Sequence, residues 1–330
     1  MDAHELNKRL PAAAFAFQGY DMTNLGRSHE LLEHPQFGAV VEDYLVRASV
    51  VCNEFTGGKT DLLHRIAKRF RHTAPTDLRS RVWTNQETTL ENFAEAVGMV
   101  VAMELAQIEI LQRFFDVPYA GARLAYGHSL GEIAAVVAGG VFSMEDALKV
   151  PLSLANDCVR LARGVTLGVL FSRARQLPLD EVYKQCTYIN SEGRGAVGVS
   201  AQLSPNTLLV MGREDTLDRL RDRMQETQQD KVLLRKNTGH WPPLHTLLVR
   251  EKYIPNRSSV MLRTMPGGFG APSVPILSMV TGSISYGDYN ARDLLSRWSD
   301  HPQRVWDAVY GTLTRGIHTR IGPGSRLAHA

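Results

Sequence analysis

One short run constrains this chain more than any other: Gly127-His128-Ser129-Leu130-Gly131, set between a short strand candidate at 123–126 and a small-residue stretch at 132–138. The first stretch reads as a strand and the second as a helix, so the run is a sharp strand-to-helix turn. Glycines on both sides let backbone pass close to a turn whose central residue is strained. Ser129 is thereby lifted clear of the sheet at a helix N-terminus, whose dipole favours an oxyanion. That makes Ser129 a candidate nucleophile and the Leu130 N–H a candidate oxyanion donor. A Gly-Ser turn also arises by chance, but here strand, helix and small residues agree.

The rest of the chain supplies a framework for such a turn. Residues 12–17 form a short apolar run ended by Gln18-Gly19, the pattern of a buried strand entering a loop. Thr88 followed by Glu91 fits a capping box opening a long apolar-periodic helix over 90–115, which Pro118 ends. From 164 to 237 the rhythm changes: strands at 165–171, 196–201, 207–211 and 231–235 alternate with helices at 179–185 and 214–227. The order βαββαβ is that of a ferredoxin-like module, a small antiparallel sheet under two helices. It is read as an inserted subdomain at 164–237, dividing a large domain into 1–163 and 238–330. The larger part resumes with a strand at 274–280 and a helix at 292–297, after a Gly- and Pro-rich stretch at 258–275 that reads as irregular surface.

A serine needs a base. Among eleven histidines, His245 is the best placed, because Trp241-Pro242-Pro243-Leu244 stiffens the loop before it. His240 is the runner-up, and His128 is adjacent to the serine on a tight turn, where neighbouring side chains diverge. Composition excludes little: 330 residues, 44% hydrophobic, with a net charge of +3, suit one large globular unit carrying a smaller one. That charge does not argue for nucleic acid and tolerates an acidic partner. Cys52, Cys158 and Cys186 are too scattered for a disulfide framework or zinc site, which points to a reducing compartment, the cytoplasm, and to no metal. No stretch is long and uncharged enough to cross a bilayer.

Residues 127–132 resemble the GHSxGE signature of the malonyl-CoA:acyl carrier protein transacylase family, which includes polyketide synthase acyltransferase domains. Phe15-Ala16-Phe17-Gln18-Gly19 is similar to that family's F-x-F-P-G-Q-G, and Thr84-Asn85-Gln86 to its T-x-x-Q. Pro243-Leu244-His245-Thr246 is similar to P-x-H-S, Val280-Thr281-Gly282 to N-V-T-G, and Ile321-Gly322-Pro323-Gly324 to V-G-P-G. The resemblance implies an α/β-hydrolase-like large domain with the ferredoxin-like insertion. It implies that Ser129 is acylated by an acyl-CoA with His245 as base, and that the phosphopantetheine thiol of an acyl carrier protein then takes the acyl group. It further implies that the Trp298 carbonyl orients the histidine and that the Gln18 N–H is the second oxyanion donor. Substrate selectivity falls to Leu154, Leu244 and His128. Acyl-CoA and phosphopantetheine are substrates in this scheme, with no bound cofactor.

The chain departs from that family in three ways. Leu154 stands where a malonyl-type enzyme has the arginine that clamps the substrate carboxylate, which favours an uncharged acyl group. Arg160 and Arg163 lie further along the helix, and Pro151 offers a local distortion. The opening loop lacks Pro-Gly, so Gly19 is an alternative to Gln18. Met279 replaces the usual Asn before V-T-G. The chain also stops soon after Gly324, as an excised domain or a trimmed chain would. Weaker signals are the Walker-like Gly57-Gly58-Lys59-Thr60 and the basic stretch 65–72, read as a loop and a solvated helix face, the latter a possible seat for an acidic carrier. The rival functions are ordinary malonyl transfer, thioester hydrolysis and a non-catalytic docking module.

Overall fold

The computed structural model describes residues 3–21, 25–56, 75–228 and 231–322. The Walker-like run, the basic stretch 65–72, Pro323 and Gly324 lie outside the described residues.

The larger of two sheets contains β1 (Ala13–Phe17), β2 (Leu124–Gly127), β7 (Ile276–Ser278), β8 (Ser283–Ile284) and β9 (Thr319–Ile321), in the order β8-β7-β2-β1-β9. All pairings are parallel except β7 with β8. All five residues of β1 are buried, as expected of a parallel strand covered on both faces. The covering helices include α1 (Gly38–Thr56), α2 (Phe93–Phe115), α3 (Leu130–Ala138) and α4 (Met144–Ala162). They share one core with β1 and β2, in which Phe15, Phe93, Met99, Leu130 and Ile133 are almost fully buried.

The smaller sheet comprises β3 (Thr166–Ser172), β4 (Val197–Ser204), β5 (Thr207–Gly212) and β6 (Val232–Lys236), with α5 (Leu179–Ser191) and α6 (Thr216–Gln228) between them. The element order is the one expected from the sequence, and the strands pair antiparallel in the order β4-β5-β3-β6. Strand alternation divides its faces. Leu208 and Val210 of β5 join Val182, Ile189, Leu217 and Leu220 of the helices in a second core. Leu209 and Met211, one residue out of phase, face the other way and belong to a separate cluster with Leu167 and Leu248.

Three sequence expectations are corrected. Residues 258–264 are not irregular: they complete α7 (Ile254–Thr264), with Pro255 in its first turn and Ser258 and Leu262 buried. Proline is tolerated at that end of a helix, and the glycine-rich stretch proper begins only after Thr264. The helix expected from residue 90 begins instead at Phe93: a 3₁₀ turn, Leu90–Asn92, with Thr89 at its cap position, precedes α2. The strand expected at 274–280 is confined to β7. Two further helices, α8 (Ala291–Trp298) and α9 (Val305–Leu313), close the larger part. Among the described residues, no helix is long and apolar enough to cross a membrane.

Candidate active site

Ser129 sits between the end of β2 and the start of α3 with φ 55° and ψ −115°, a backbone conformation that costs a non-glycine residue free energy. Packing holds it there. A Cβ at Gly127 would fall 2.0 Å from the backbone carbon of Gly131, and one at Gly131 would fall 2.5 Å from the Phe17 oxygen. Both glycines are therefore required by close backbone approach. Below the turn, buried Glu132 accepts hydrogen bonds from the Tyr286 hydroxyl at 2.9 Å and the Met279 N–H at 3.2 Å, tying α3 to the end of β7. Burial pushes the Glu132 carboxyl up to about 7, against hydrogen bonds from Ser278, Tyr286 and Met279 that lower it.

His245 meets the serine at the cavity wall. Its Nε2 lies 2.8 Å from Ser129 Oγ and its Nδ1 lies 2.7 Å from the Trp298 carbonyl oxygen. A carbonyl only accepts, so Nδ1 carries the proton and Nε2 is free to accept from the serine hydroxyl. Trp298 is the last residue of α8, where carbonyls have no partner within the helix, and the next carbonyl, of Ser299, accepts the His245 N–H at 2.7 Å. The indole of Trp298 also donates to the Ser129 carbonyl at 2.8 Å. His245 is buried with φ 64°. Burial, reinforced by the charge of His128 and opposed by the Trp298 carbonyl, lowers its pKa to about 3. His240, the alternative base, is exposed.

The pair opens into a cavity of about 290 Å³. Its walls are Tyr20, Phe93, Trp241, Pro242, Leu130 and Leu244 from the larger part, and Leu167, Ser200, Leu209 and Met211 from the helix-free face of the small sheet. Tyr20 packs edge-on against both Phe93 and Trp241. His128 also lines it, with a pKa lowered to about 4 by burial. Among the described lining residues, Asp21 is the one carboxylate, and there is no lysine or arginine.

The structure therefore brings Ser129, His245, Trp298, Leu130, His128 and Leu244 together, and separates two expected residues from them. Leu154 does not line the cavity; it is buried in the main core on α4. Arg160 and Arg163 are exposed, Arg160 lying 3.7 Å from Asp157. The Gln18 N–H does not face the serine either: it donates to the Glu104 carboxyl on α2. Burial raises the Glu104 carboxyl well above the usual carboxylate range, against the Gln18 N–H that lowers it, and its contact with that N–H makes it part of the loop's support. Gly19 lies closer, since a Cβ there would fall 3.3 Å from Ser129 Cβ. The Leu130 N–H, first of α3, makes no hydrogen bond among the described residues. Sequence reasoning missed Glu104, Ser200 and Gln303, which carry no motif.

Fold and turn define a class, the malonyl-CoA:acyl carrier protein transacylase fold. FabD from Acinetobacter baumannii superposes with a TM-score of 0.71, covering 96% of this chain and 88% of its own at 16% identity. A type II polyketide synthase malonyl-transacylase, solved in complex with its acyl carrier protein, gives 0.68 at 19% identity, over 94% of this chain and 88% of its own. In sequence, polyketide synthase GfsA of Streptomyces halstedii is 24% identical over 233 residues, 69% of this chain. This chain spans about 3% of that synthase's length. No family model matches the chain.

Proposed function

We propose that this protein is an acyltransferase that moves an uncharged acyl group from acyl-CoA to the phosphopantetheine thiol of an acyl carrier protein, in polyketide or fatty-acid assembly. The observation that carries the reading is the Ser129–His245 hydrogen bond of 2.8 Å at the floor of the cavity. The Ser129 oxygen attacks the thioester carbonyl while His245 Nε2 takes its proton. The tetrahedral oxyanion is met by the Leu130 N–H, with Gly19 in place of Gln18 as candidate second donor. Collapse expels the CoA thiol, which leaves with the proton held on His245. The carrier's thiol then returns a proton to His245, attacks the acyl-serine and frees the Ser129 hydroxyl.

An uncharged acyl group is favoured by the cavity walls, not by Leu154. A malonyl carboxylate would enter an apolar chamber with no lysine or arginine among its described lining residues and with Asp21 among them. An unpaired buried charge is costly. The likeness to a transacylase solved with its carrier supports a carrier protein as acceptor. We read the larger part, 1–163 and 238–330, as α/β-hydrolase-like, and 164–237 as a ferredoxin-like insertion. Three buried free thiols suit the reducing cytoplasm.

The test is the intact mass of the protein after incubation with acetyl-, butyryl- and malonyl-CoA, followed by addition of holo acyl carrier protein. Acyl adducts that move to the carrier support transfer. Adducts that vanish into free acid indicate a hydrolase, and no adduct with any donor overturns the reading.

A further inference from the structure

Gln303 lies in the connection between α8 and α9 and is completely buried. Its side-chain Oε1 accepts the backbone N–H of Ser129 at 3.0 Å. Its backbone joins β4 of the small sheet: its N–H donates to the Ser200 carbonyl at 2.8 Å and its carbonyl accepts from the Gln202 N–H at 2.9 Å. One residue thus touches the nucleophile with its side chain and, with its main chain, the strand that supplies Ser200 to the cavity wall.

The other end of the amide is the telling feature. Nε2 of Gln303 is buried and has no hydrogen-bond partner among the described residues. Rotating the amide does not help, because it would set two donors face to face at Ser129. A leucine or methionine would fill a similar volume without bringing in a side-chain donor that finds no partner, so packing alone gives no reason for glutamine here. What glutamine provides is an acceptor for the N–H of a residue held at φ 55°.

We infer that Gln303 is a positioning residue for the nucleophile: by holding the Ser129 N–H it fixes where Ser129 Oγ stands relative to His245 Nε2, and it registers the small sheet against that point. The inference rests on Ser129 being the nucleophile, as proposed above. Gln303 does not line the cavity, so its side chain acts on the reaction only through Ser129.

The test uses Gln303→Met and Gln303→Glu in the full chain, with the rate of Ser129 labelling by a fluorophosphonate probe, kcat and KM for acyl transfer, and the thermal midpoint. Methionine removes both the acceptor and the unpaired donor while leaving the Ser129 N–H unpaired, so one unpaired group is exchanged for another and the midpoint should hold. Labelling and kcat should fall by about 10- to 100-fold, the scale of a small misplacement of a reacting group, with KM unchanged. Glutamate, charged or neutral, still presents an acceptor oxygen and should recover the rate to within a few-fold of the parent. Gln303→Met labelling at the parental rate, or Gln303→Glu as slow as Gln303→Met, overturns the inference. So does a rate loss that only tracks a lowered midpoint. A parent protein whose Ser129 does not react with the probe instead overturns the proposed function, and the positioning role with it.

Discussion

The indole N–H of Trp298 donates to the Ser129 carbonyl at 2.8 Å, while the carbonyl of the same tryptophan receives His245 Nδ1 at 2.7 Å. One residue at a helix end therefore sets the position of the nucleophile's main chain and the tautomer of its base. No carboxylate takes part in that contact. The orienting group is a neutral carbonyl whose availability follows from helix geometry.

Replacing Ser129 with alanine should abolish covalent acylation while leaving the fold intact, since the side chain's own contact is with His245. Intact mass spectrometry after acyl-CoA exposure, beside circular dichroism, reads both. Full acyl loading of the alanine variant would place the nucleophile elsewhere.

His245→Ala should slow single-turnover acylation by about 10²–10⁴-fold, the range for loss of a general base. His240→Ala should leave it near the parental rate, because His240 is exposed. A larger loss for His240 would reverse the assignment.

With its pKa lowered to about 3, His245 stays neutral far below the range in which a free imidazole protonates. Single-turnover acylation should therefore hold level from about pH 8 down to about pH 5. An inflection near the ordinary imidazole value of about 6.5 would show that the base is not held this way.

Malonyl-CoA should be disfavoured against acetyl- or butyryl-CoA by about 10²–10⁴-fold in kcat/KM, reflecting a few kcal/mol for an unpaired buried carboxylate. Leu154→Arg should not reverse that preference and should lower the thermal midpoint, because the residue is in the core. A parent protein that prefers malonyl-CoA would show that a cation reaches the cavity from outside the described lining.

Glu132 provides a stability test. Its folded-state pKa is raised from 4.5 to about 7, so the folded protein holds a proton that the unfolded chain releases. Its contribution is fully present below the unfolded value and is lost as pH rises through the folded one, at about 1.4 kcal/mol per pH unit. Glu132→Gln removes this titration, so the gap between parent and variant in denaturant midpoint should change across that window. His128 and His245, whose lowered pKa values act in the opposite direction, contribute equally to both proteins. Parallel curves would count against a buried, titrating Glu132.

The parts of the site that were legible in the sequence are those fixed by local chain geometry. Glycines at 127 and 131 and the apolar strand before them announce the turn around Ser129, and alternating apolar residues announce β5. The proline-stiffened loop 241–244 marks His245, and Trp298 comes only from resemblance to a family pattern. Leu154 falls in the core and not on the cavity because the Gly139-Gly140 turn separates α4 from α3, and nothing local fixes how α4 is rotated beyond it. Gln18 was misassigned because its partner, Glu104, lies 86 residues away, and nothing local marks a buried acid that claims a backbone N–H. Gln303 was invisible for the same reason, its contact with Ser129 spanning 174 residues.

Leu167, Ser200, Leu209 and Met211 line the cavity from one side, and all four come from an uninterrupted length of chain that excludes Ser129, His245 and Trp298. The shape of the chamber and the machinery beneath it are thus written in different passages of the sequence. Grafting that single passage from a relative would remodel the chamber without touching the reacting pair, provided the transplant keeps the main-chain seam at Ser200 and Gln202 that Gln303 stitches closed.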